Sequence, residues 1–255
     1  MDLLREITRC PNIEQCFINP QNSNPCSKII STQKVIALAN LQVPEPWSGN
    51  LEHAPILFLS SNPSIDKEDV IPRWSWSDEW IKDFYAHRYG GGREQWIEDG
   101  IRKLMHDGSR RVVRFWVEVR NRATELLKRE IQDGIDYALT EVVHCKSRGE
   151  EGVNEAIEEC TRHYLRRVLD LSGAQVIVTL GKKAKNALKN EFNIPDDDMC
   201  GPMKIGSHQR YVVFLPHPNA HMYRSFEKCL EAEKLQELRA FLRSQLSTGL
   251  PPQAQ

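Results

Sequence analysis

Residues 55–64 read Pro-Ile-Leu-Phe-Leu-Ser-Ser-Asn-Pro-Ser. From Pro55 to Leu59 every position is apolar, the pattern of a strand buried on both faces and not of one with a wet side. The run then breaks abruptly into Ser, Asn and Pro, residues that cap and turn the chain. Three later runs have the same character: Ile135 to Val143, Gln175-Val176-Ile177-Val178-Thr179-Leu180, and Tyr211-Val212-Val213-Phe214-Leu215. Between them, apolar residues recur at threes and fours. One set is Val112, Val113, Trp116, Val119, Ala123, Leu126 and Leu127, and another is Val153, Ala156, Ile157, Cys160, Tyr164 and Val168. Strand, helix and strand in alternation predict an α/β fold: a three-layer α/β/α sandwich around a central four-stranded parallel sheet. No repeat of fixed period is present.

The 255 residues carry a formal net charge of −1, with 27% charged and 40% hydrophobic residues, the composition of a globular chain with a full core. No apolar run approaches the roughly 18 residues of a membrane span, and the opening MDLLREITRC is not a secretory signal. A cytoplasmic location is expected, where structural disulfides are rare; the seven cysteines are an odd number in any case. Residues 1–246 read as one domain. Within it, residues 1–50 read as an irregular cysteine-containing segment. Residues 66–130 read as an insertion, rich in Trp, Tyr, Asp and Gly at first and then basic. Residues 247–255 read as a frayed tail. An insertion of that length is often functional.

In an open parallel sheet, ligands bind beyond the carboxyl ends of the strands. The first strand leads into Ser60-Ser61-Asn62-Pro63-Ser64. The second leads through Thr140-Glu141 to His144-Cys145-Lys146, the third into Gly181-Lys182-Lys183, and the fourth into Pro216-His217-Pro218-Asn219. Each could be an ordinary cap or turn. Together they put ionisable and polar groups on a single edge.

These residues resemble the uracil-DNA glycosylase superfamily. Ser61-Asn62-Pro63-Ser64 is similar to the Asn-Pro variants of its first motif, and His217-Pro218-Asn219 to its His-Pro-Ser motif. Thr140-Glu141-Val142-Val143-His144-Cys145, then Cys160, then Val176 to Gly181 resemble the middle of the iron–sulfur members. The resemblance covers residues 50–65 and 135–222. It implies a base-flipping enzyme that hydrolyses the bond between base and deoxyribose and leaves an abasic site. His217 would stabilise charge on the departing base by donating a hydrogen bond, and Asn62 would orient the attacking water. The wedge that fills the vacated stack would come from Met222, Tyr223 or Arg224. Ser61, Lys182, Lys183 and Asn219 would contact the DNA, with the helix start at residue 182 suited to phosphate. Trp74 and Tyr85, from the cluster Trp74, Trp76, Trp80, Tyr85 and Tyr89, would stack on the base, unless that cluster is core beneath a long loop. No lysine stands in the active motifs, so a monofunctional glycosylase without a Schiff-base step is expected.

Glu141 departs from the pattern, since uracil-reading relatives have Asn there. A carboxylate only accepts, so it would repel the carbonyl at position 4 of uracil and suit an exocyclic amine, as Glu does toward cytosine N4. Unless Glu141 points away or is protonated and mimics Asn, the target keeps a cytosine-like amine. Because host DNA is full of cytosine, a modified cytosine fits better. The chain also resembles anti-phage members of the superfamily that remove glucosylated hydroxymethylcytosine. Ser64, following the motif proline, would leave room beside the base.

Cys145 and Cys160 are spaced like the last two cluster ligands of the iron–sulfur members. The resemblance implies two further ligands from the N-terminus, where Cys26 is the firmest and Cys16 is taken over Cys10. Thiolates suit a four-iron cluster and zinc alike, and His144 stands nearby. Neither metal is needed for the chemistry. Between Arg102 and Arg129 nine Lys or Arg face three Asp or Glu, and Lys182, Lys183, Lys185 and Lys189 follow the third strand; these are DNA contacts or solvated faces. The expected partner is DNA, including phage DNA with modified cytosine, with no membrane and a monomeric chain. The rival readings are a repair glycosylase for uracil or another deaminated base and a catalytically silent DNA-binding module.

Overall fold

The computed structural model describes residues 2–220 and 224–248. Three short helices come first: α1 (Leu3–Thr8), α2 (Pro11–Ile18) and α3 (Ser27–Ser31). Strand β1 (Ile56–Ser60) is followed by α4 (Asp78–Ala86) and the strands β2 (Ile97–Glu98), β3 (Arg102–Leu104) and β4 (Arg110–Val112). Then come α5 (Arg114–Leu127), β5 (Tyr137–Glu141), α6 (Val153–Cys160), a wider π turn at Thr161–Leu165, and α7 (Arg166–Leu171). The chain continues through β6 (Val176–Leu180), α8 (Lys182–Phe192), β7 (Met199–Ile205), β8 (His208–Leu215), α9 (Phe226–Cys229) and α10 (Ala232–Thr248).

The central sheet runs in the order β5-β1-β6-β8-β7. The first four strands are parallel, in registers that pair Ile56 with Tyr137 and Val176, and Val176 with Tyr211. Side-chain alternation divides their apolar residues between two cores. Leu57, Leu59, Ala138, Ile177 and Val212 join one; Ile56, Phe58, Tyr137, Val178 and Val213 join the other. Ile7, Ile13, Ile29, Val153, Leu169 and Leu188, all on helices, close the first core. Val119, Leu126, Phe226, Leu238 and Leu242 close the second. The result is the three-layer α/β sandwich.

The four expected parallel strands are present, and the sheet has one strand more than expected. A fifth strand, β7, pairs antiparallel with β8 at the edge and carries a register shift between Cys200 and Met203. Its sequence, Met-Cys-Gly-Pro-Met-Lys-Ile, lacks an apolar run because only its ends are buried. An edge strand also tolerates the proline that a central strand would reject. Residues 1–50 are not irregular throughout. Asp2 caps α1 by accepting from Leu4 N–H at 3.1 Å, and Pro11 opens α2. At 6, 8 and 5 residues these helices are too short to show a helical period in the sequence.

Within residues 66–130, Ser77 caps α4, and Ile71, Ile81, Phe84, Tyr85 and Trp96 form a small third core. A three-stranded antiparallel sheet, β2-β3-β4, follows. No helix among the described residues is long and apolar enough to cross a membrane. Met222 and Tyr223, two of the expected wedge residues, and the tail from residue 249 onward lie outside the described residues.

Candidate active site

The loops leaving β1 and β5 are zipped together. Val142 and Val143 donate to the carbonyls of Ser60 and Ser61 at 3.0 Å each, and Ser147 donates to Pro63 O at 3.1 Å. This fixes the Ser61–Ser64 turn beside Glu141. The turn after β8 brings His217 to the same edge. Two cavities open there and share Asn62, Ser64, His217 and Asn219. The inner one, of about 200 Å³, reaches Glu45, Asp69, Arg88, Lys103, Glu141 and Lys146. The outer one, of about 740 Å³, is lined by Ser61, Glu150, Lys182 and Lys183 among others.

His217 has a defined proton. The Asn219 backbone N–H donates to its Nδ1 at 3.1 Å. Nδ1 is therefore the acceptor, and in the neutral ring Nε2 carries the hydrogen. Burial holds the imidazole below its ordinary value, against a smaller opposing pull from the Glu150 charge. His217 is thus a neutral donor at physiological pH. Phe115 lies against it, ring centroids 5.7 Å apart. Gly181 makes room on the other side: its φ is +95°, and a Cβ there would stand 3.2 Å from His217 Cβ.

Asn62 is fixed just as firmly. Its Nδ2 donates to Pro63 O at 2.9 Å and to Ser147 Oγ at 3.0 Å. With both amide hydrogens used, its Oδ1 remains as acceptor. A water molecule held by Oδ1 keeps an oxygen lone pair free for attack. The arrangement can orient a nucleophile and meet a developing anion, the two requirements of N-glycosidic hydrolysis.

The inner cavity is built from buried charges. Glu45 bonds Arg88 at 2.8 Å and also pairs with Lys146. Burial raises the Glu45 carboxyl, but the two cations outweigh it and leave it well below the ordinary range. Glu141 moves the opposite way: burial first, then the Glu45 charge, push it up despite Lys146 and Arg88. Burial and the Glu45 charge thus favour the protonated form of Glu141, and the two cations favour the ionised form of Glu45. Of the two expectations for Glu141, an ionised acceptor or a protonated mimic of Asn, these shifts favour the second. In that form its O–H can donate and its C=O can accept.

A family model for the uracil DNA glycosylase superfamily matches residues 46–243. The chain belongs to this superfamily. No curated protein matches it. Members of the superfamily are typically DNA glycosylases, a class of hydrolases, so the family supports glycosylase activity and DNA binding.

In this superfamily member, the remaining expected residues fall in different places. Ser64 and Asn219 line both cavities, and Ser61, Lys182 and Lys183 line the outer one. Lys185 and Lys189 instead both pair with Asp196 at 2.8 Å. Arg224 donates to Pro218 O and pairs with Glu118 at 3.8 Å, away from either cavity wall. Trp74 and Tyr85 are not on the cavity walls either. Trp74 packs under Arg9, whose guanidinium lies 5.0 Å over its ring, and Tyr85 is fully buried in the third core. Their apolar bulk is spent stabilising the insertion; the aromatic wall of the inner cavity is Phe115 and Trp116, at the start of α5. The basic stretch is largely neutralised, with Arg111 on Asp66, Arg120 on Asp133, Arg122 on Glu125 and Arg129 on Asp136. Two lysines absent from the expected site, Lys103 and Lys146, do reach the inner cavity.

The cysteines gather at the other side of the β5 loop. Cys10, Cys26, Cys145 and Cys160 line one cavity of about 20 Å³, together with His144 and Tyr164. Cys16, expected there instead of Cys10, is 1% exposed in the first core, on the inward face of α2, and does not line that cavity. Burial pushes the Cys10 thiol up and the Cys26 thiol to about 12. As placed, no three His, Cys, Asp or Glu side chains among the described residues converge closely enough to share a metal.

Proposed function

We propose that the protein is a monofunctional DNA glycosylase that draws a modified cytosine, such as glucosylated hydroxymethylcytosine of phage DNA, into the inner cavity and hydrolyses its glycosidic bond in antiviral defence. The observation that carries the glycosylase chemistry is the pairing of a neutral His217, with its hydrogen on Nε2, and an Asn62 whose only spare polar atom is Oδ1, at the junction of the two cavities. As the bond lengthens, negative charge develops on the base and His217 Nε2–H meets it. A neutral imidazole serves this role through its Nε2–H alone, without first having to gain a proton. The N-glycosidic bond breaks with its electron pair on the base, the water held by Asn62 Oδ1 bonds to the sugar carbon, and the proton that water releases passes through solvent to the departing base, leaving an abasic site.

Glu141 supports the choice of base. Neutral, it donates to N3 of cytosine and accepts from the N4 amine; ionised, it still accepts from the amine. Toward uracil only the neutral form works, since the ionised form opposes the carbonyl. A cytosine target must also differ from host cytosine, which requires a modification. The raised Glu141 carboxyl gives the second reading, uracil or another deaminated base, its own support, because a neutral Glu can imitate Asn. Lys146 is held by Glu45, and Lys103 by Asp66 and Asp69. Neither is free to attack the sugar, which favours simple hydrolysis without a lyase step.

Cys10, Cys26, Cys145 and Cys160, although not converged on a common point as placed, are the thiols that would hold a four-iron cluster, with zinc as the alternative. Metal charge would offset the desolvation that holds these thiols protonated. Such a group would pin the starts of α2 and α3, the end of α6 and the β5 loop together and supply no step of the reaction. The protein would act as a monomer in the cytoplasm, where phage DNA is replicated. Oligonucleotides carrying uracil, cytosine, hydroxymethylcytosine or glucosylated hydroxymethylcytosine, treated with alkali after incubation, test the function. Strand breaks at modified cytosine are expected; breaks at uracil alone would establish the second reading. Visible absorption of the purified protein, with iron and zinc analysis, tests the cysteine set.

A further inference from the structure

A cytosine ring does not use the whole inner cavity. It has one oxygen that gains charge on departure and one pairing edge, which His217 and Glu141 answer. Three more polar side chains stand on the same wall: Asp69, Arg88 and Lys103. Lys103 Nζ bonds Asp69 Oδ2 at 3.1 Å and Asp66 Oδ2 at 2.8 Å, with Asp69 and Lys103 only 14% and 13% exposed. Those contacts use one oxygen of Asp69 and two of three ammonium hydrogens. An acceptor and a donor are left side by side. Arg88 spends Nη1 on Glu45 and Ser48, and its buried Nε has no hydrogen-bond partner. That nitrogen has essentially no accessible surface, so it faces protein and not the cavity. Beside these groups lies Trp116, under the Arg88 guanidinium at 5.1 Å.

All four side chains come from residues 69–116, the stretch that matches none of the strand-end motifs. Their chemistry fits a polyhydroxylated group. Each hydroxyl both donates and accepts, so neighbouring hydroxyls can satisfy a carboxylate oxygen and an ammonium together, while the C–H face of a sugar packs on an indole. An unsubstituted base would leave these groups facing an empty polar corner.

We infer that the insertion is a substituent reader: Asp69 and Lys103 bind adjacent hydroxyls of a sugar carried by the flipped base, and Trp116, held under the Arg88 guanidinium, packs against the sugar face. This rests on the modified-cytosine reading and gives it a structural element of its own. The test is made in full-length protein carrying Asn62→Ala, so that bound DNA stays intact. Affinities are measured for duplexes that differ only in one residue, hydroxymethylcytosine or its glucosylated form. The parent should prefer the glucosylated duplex. Asp69→Asn, Lys103→Gln and Trp116→Leu should each cut that preference by about 10-fold or more, the size of a hydrogen bond to a charged group. An unchanged ratio in all three variants, or equal losses toward both duplexes, would overturn the substituent reader while leaving the modified-cytosine reading standing. A parent without preference, combined with wild-type protein that excises no modified cytosine, would overturn both.

Discussion

The inner and outer cavities share four residues but hold their charges under opposite conditions. In the inner one, Glu45, Arg88 and Lys146 are nearly sealed from solvent, and each is answered by an opposite charge. In the outer one, Lys183 and Glu150 are 26% and 43% exposed and meet at 3.4 Å. The same kinds of side chain therefore do different work. Buried charges set protonation states and shape, because little water screens them. Exposed ones set encounter with a polyanion, and salt weakens them. Substitutions in the two cavities should separate along this line.

The largest effect is expected at Glu45. Glu45→Ala leaves Arg88 and Lys146 buried without their carboxylate, and breaking a buried pair costs about 3–5 kcal/mol. Urea unfolding should show a loss of that order. Lys183→Ala, at an exposed pair, should stay within about 0.5 kcal/mol. Equal losses at both positions would contradict the contrast between the cavities.

Next come the two groups at the junction. His217→Ala should slow single-turnover excision by roughly 10²–10³-fold, the effect of removing one preorganised donor, while DNA affinity changes little. Asn62→Ala should likewise leave folding and binding intact and remove the held water. An Asn62→Ala/His217→Ala protein that still excises its base would refute the assignment of both.

Third is the pH response of Glu141, which is faced by Glu45, Arg88 and Lys146. Burial and the Glu45 charge raise its carboxyl, so its donor form persists to higher pH than an ordinary Glu. Excision should fall as pH rises through that elevated value, and Glu141→Gln, which donates at every pH, should remove this alkaline limb. The stability linkage has the same sign. A raised carboxyl contributes most below the ordinary value of 4.5, and the contribution is lost as pH climbs to the folded-state value. Glu45 is the converse: its lowered carboxyl stabilises above the ordinary range, and that is lost on acidification.

Much of this site could be read from the chain, and the limit has a physical origin. The strands show because residues buried on both faces must be apolar continuously, and Asn62, Glu141 and His217 follow from reading the strand ends. Lys182 and Lys183 show in the same way. Glu45, Asp69, Arg88 and Lys103 do not, because a charged residue is buried only when distant partners neutralise it. Glu45 needs Lys146, 101 positions away, and Lys103 needs Asp66, 37 positions away. Local composition makes such residues look like solvated surface. Trp74 and Tyr85 mislead for a related reason: aromatic residues serve a small core or a cavity wall equally well, and only the fold shows that Phe115 and Trp116 line the inner cavity. β7 is missed because an edge strand needs no apolar run.

The smallest effects belong to the outer cavity, and one of them has an unusual sign. Ser61 Oγ donates to Glu150 Oε1 at 2.5 Å, and Lys183 pairs with the same carboxylate. Two groups suited to a DNA phosphate are thus held by an anion of the protein itself. Glu150 adopts a left-handed backbone, φ 60°, between Gly149 and a nearby Gly152 that do the same, a conformation uncommon for a residue with a side chain. A phosphate entering this cavity must displace that carboxylate. Glu150→Gln should therefore tighten DNA binding a few-fold at low salt, with the gain fading as ionic strength rises and the Debye length shortens. Lys182→Ala and Lys183→Ala should weaken binding and each flatten the slope of log affinity against log salt by about 0.9. None of the three should alter the pH profile set by Glu141. If Glu150→Gln weakened binding instead, the carboxylate would be organising Ser61 and Lys183 for DNA, not competing with it.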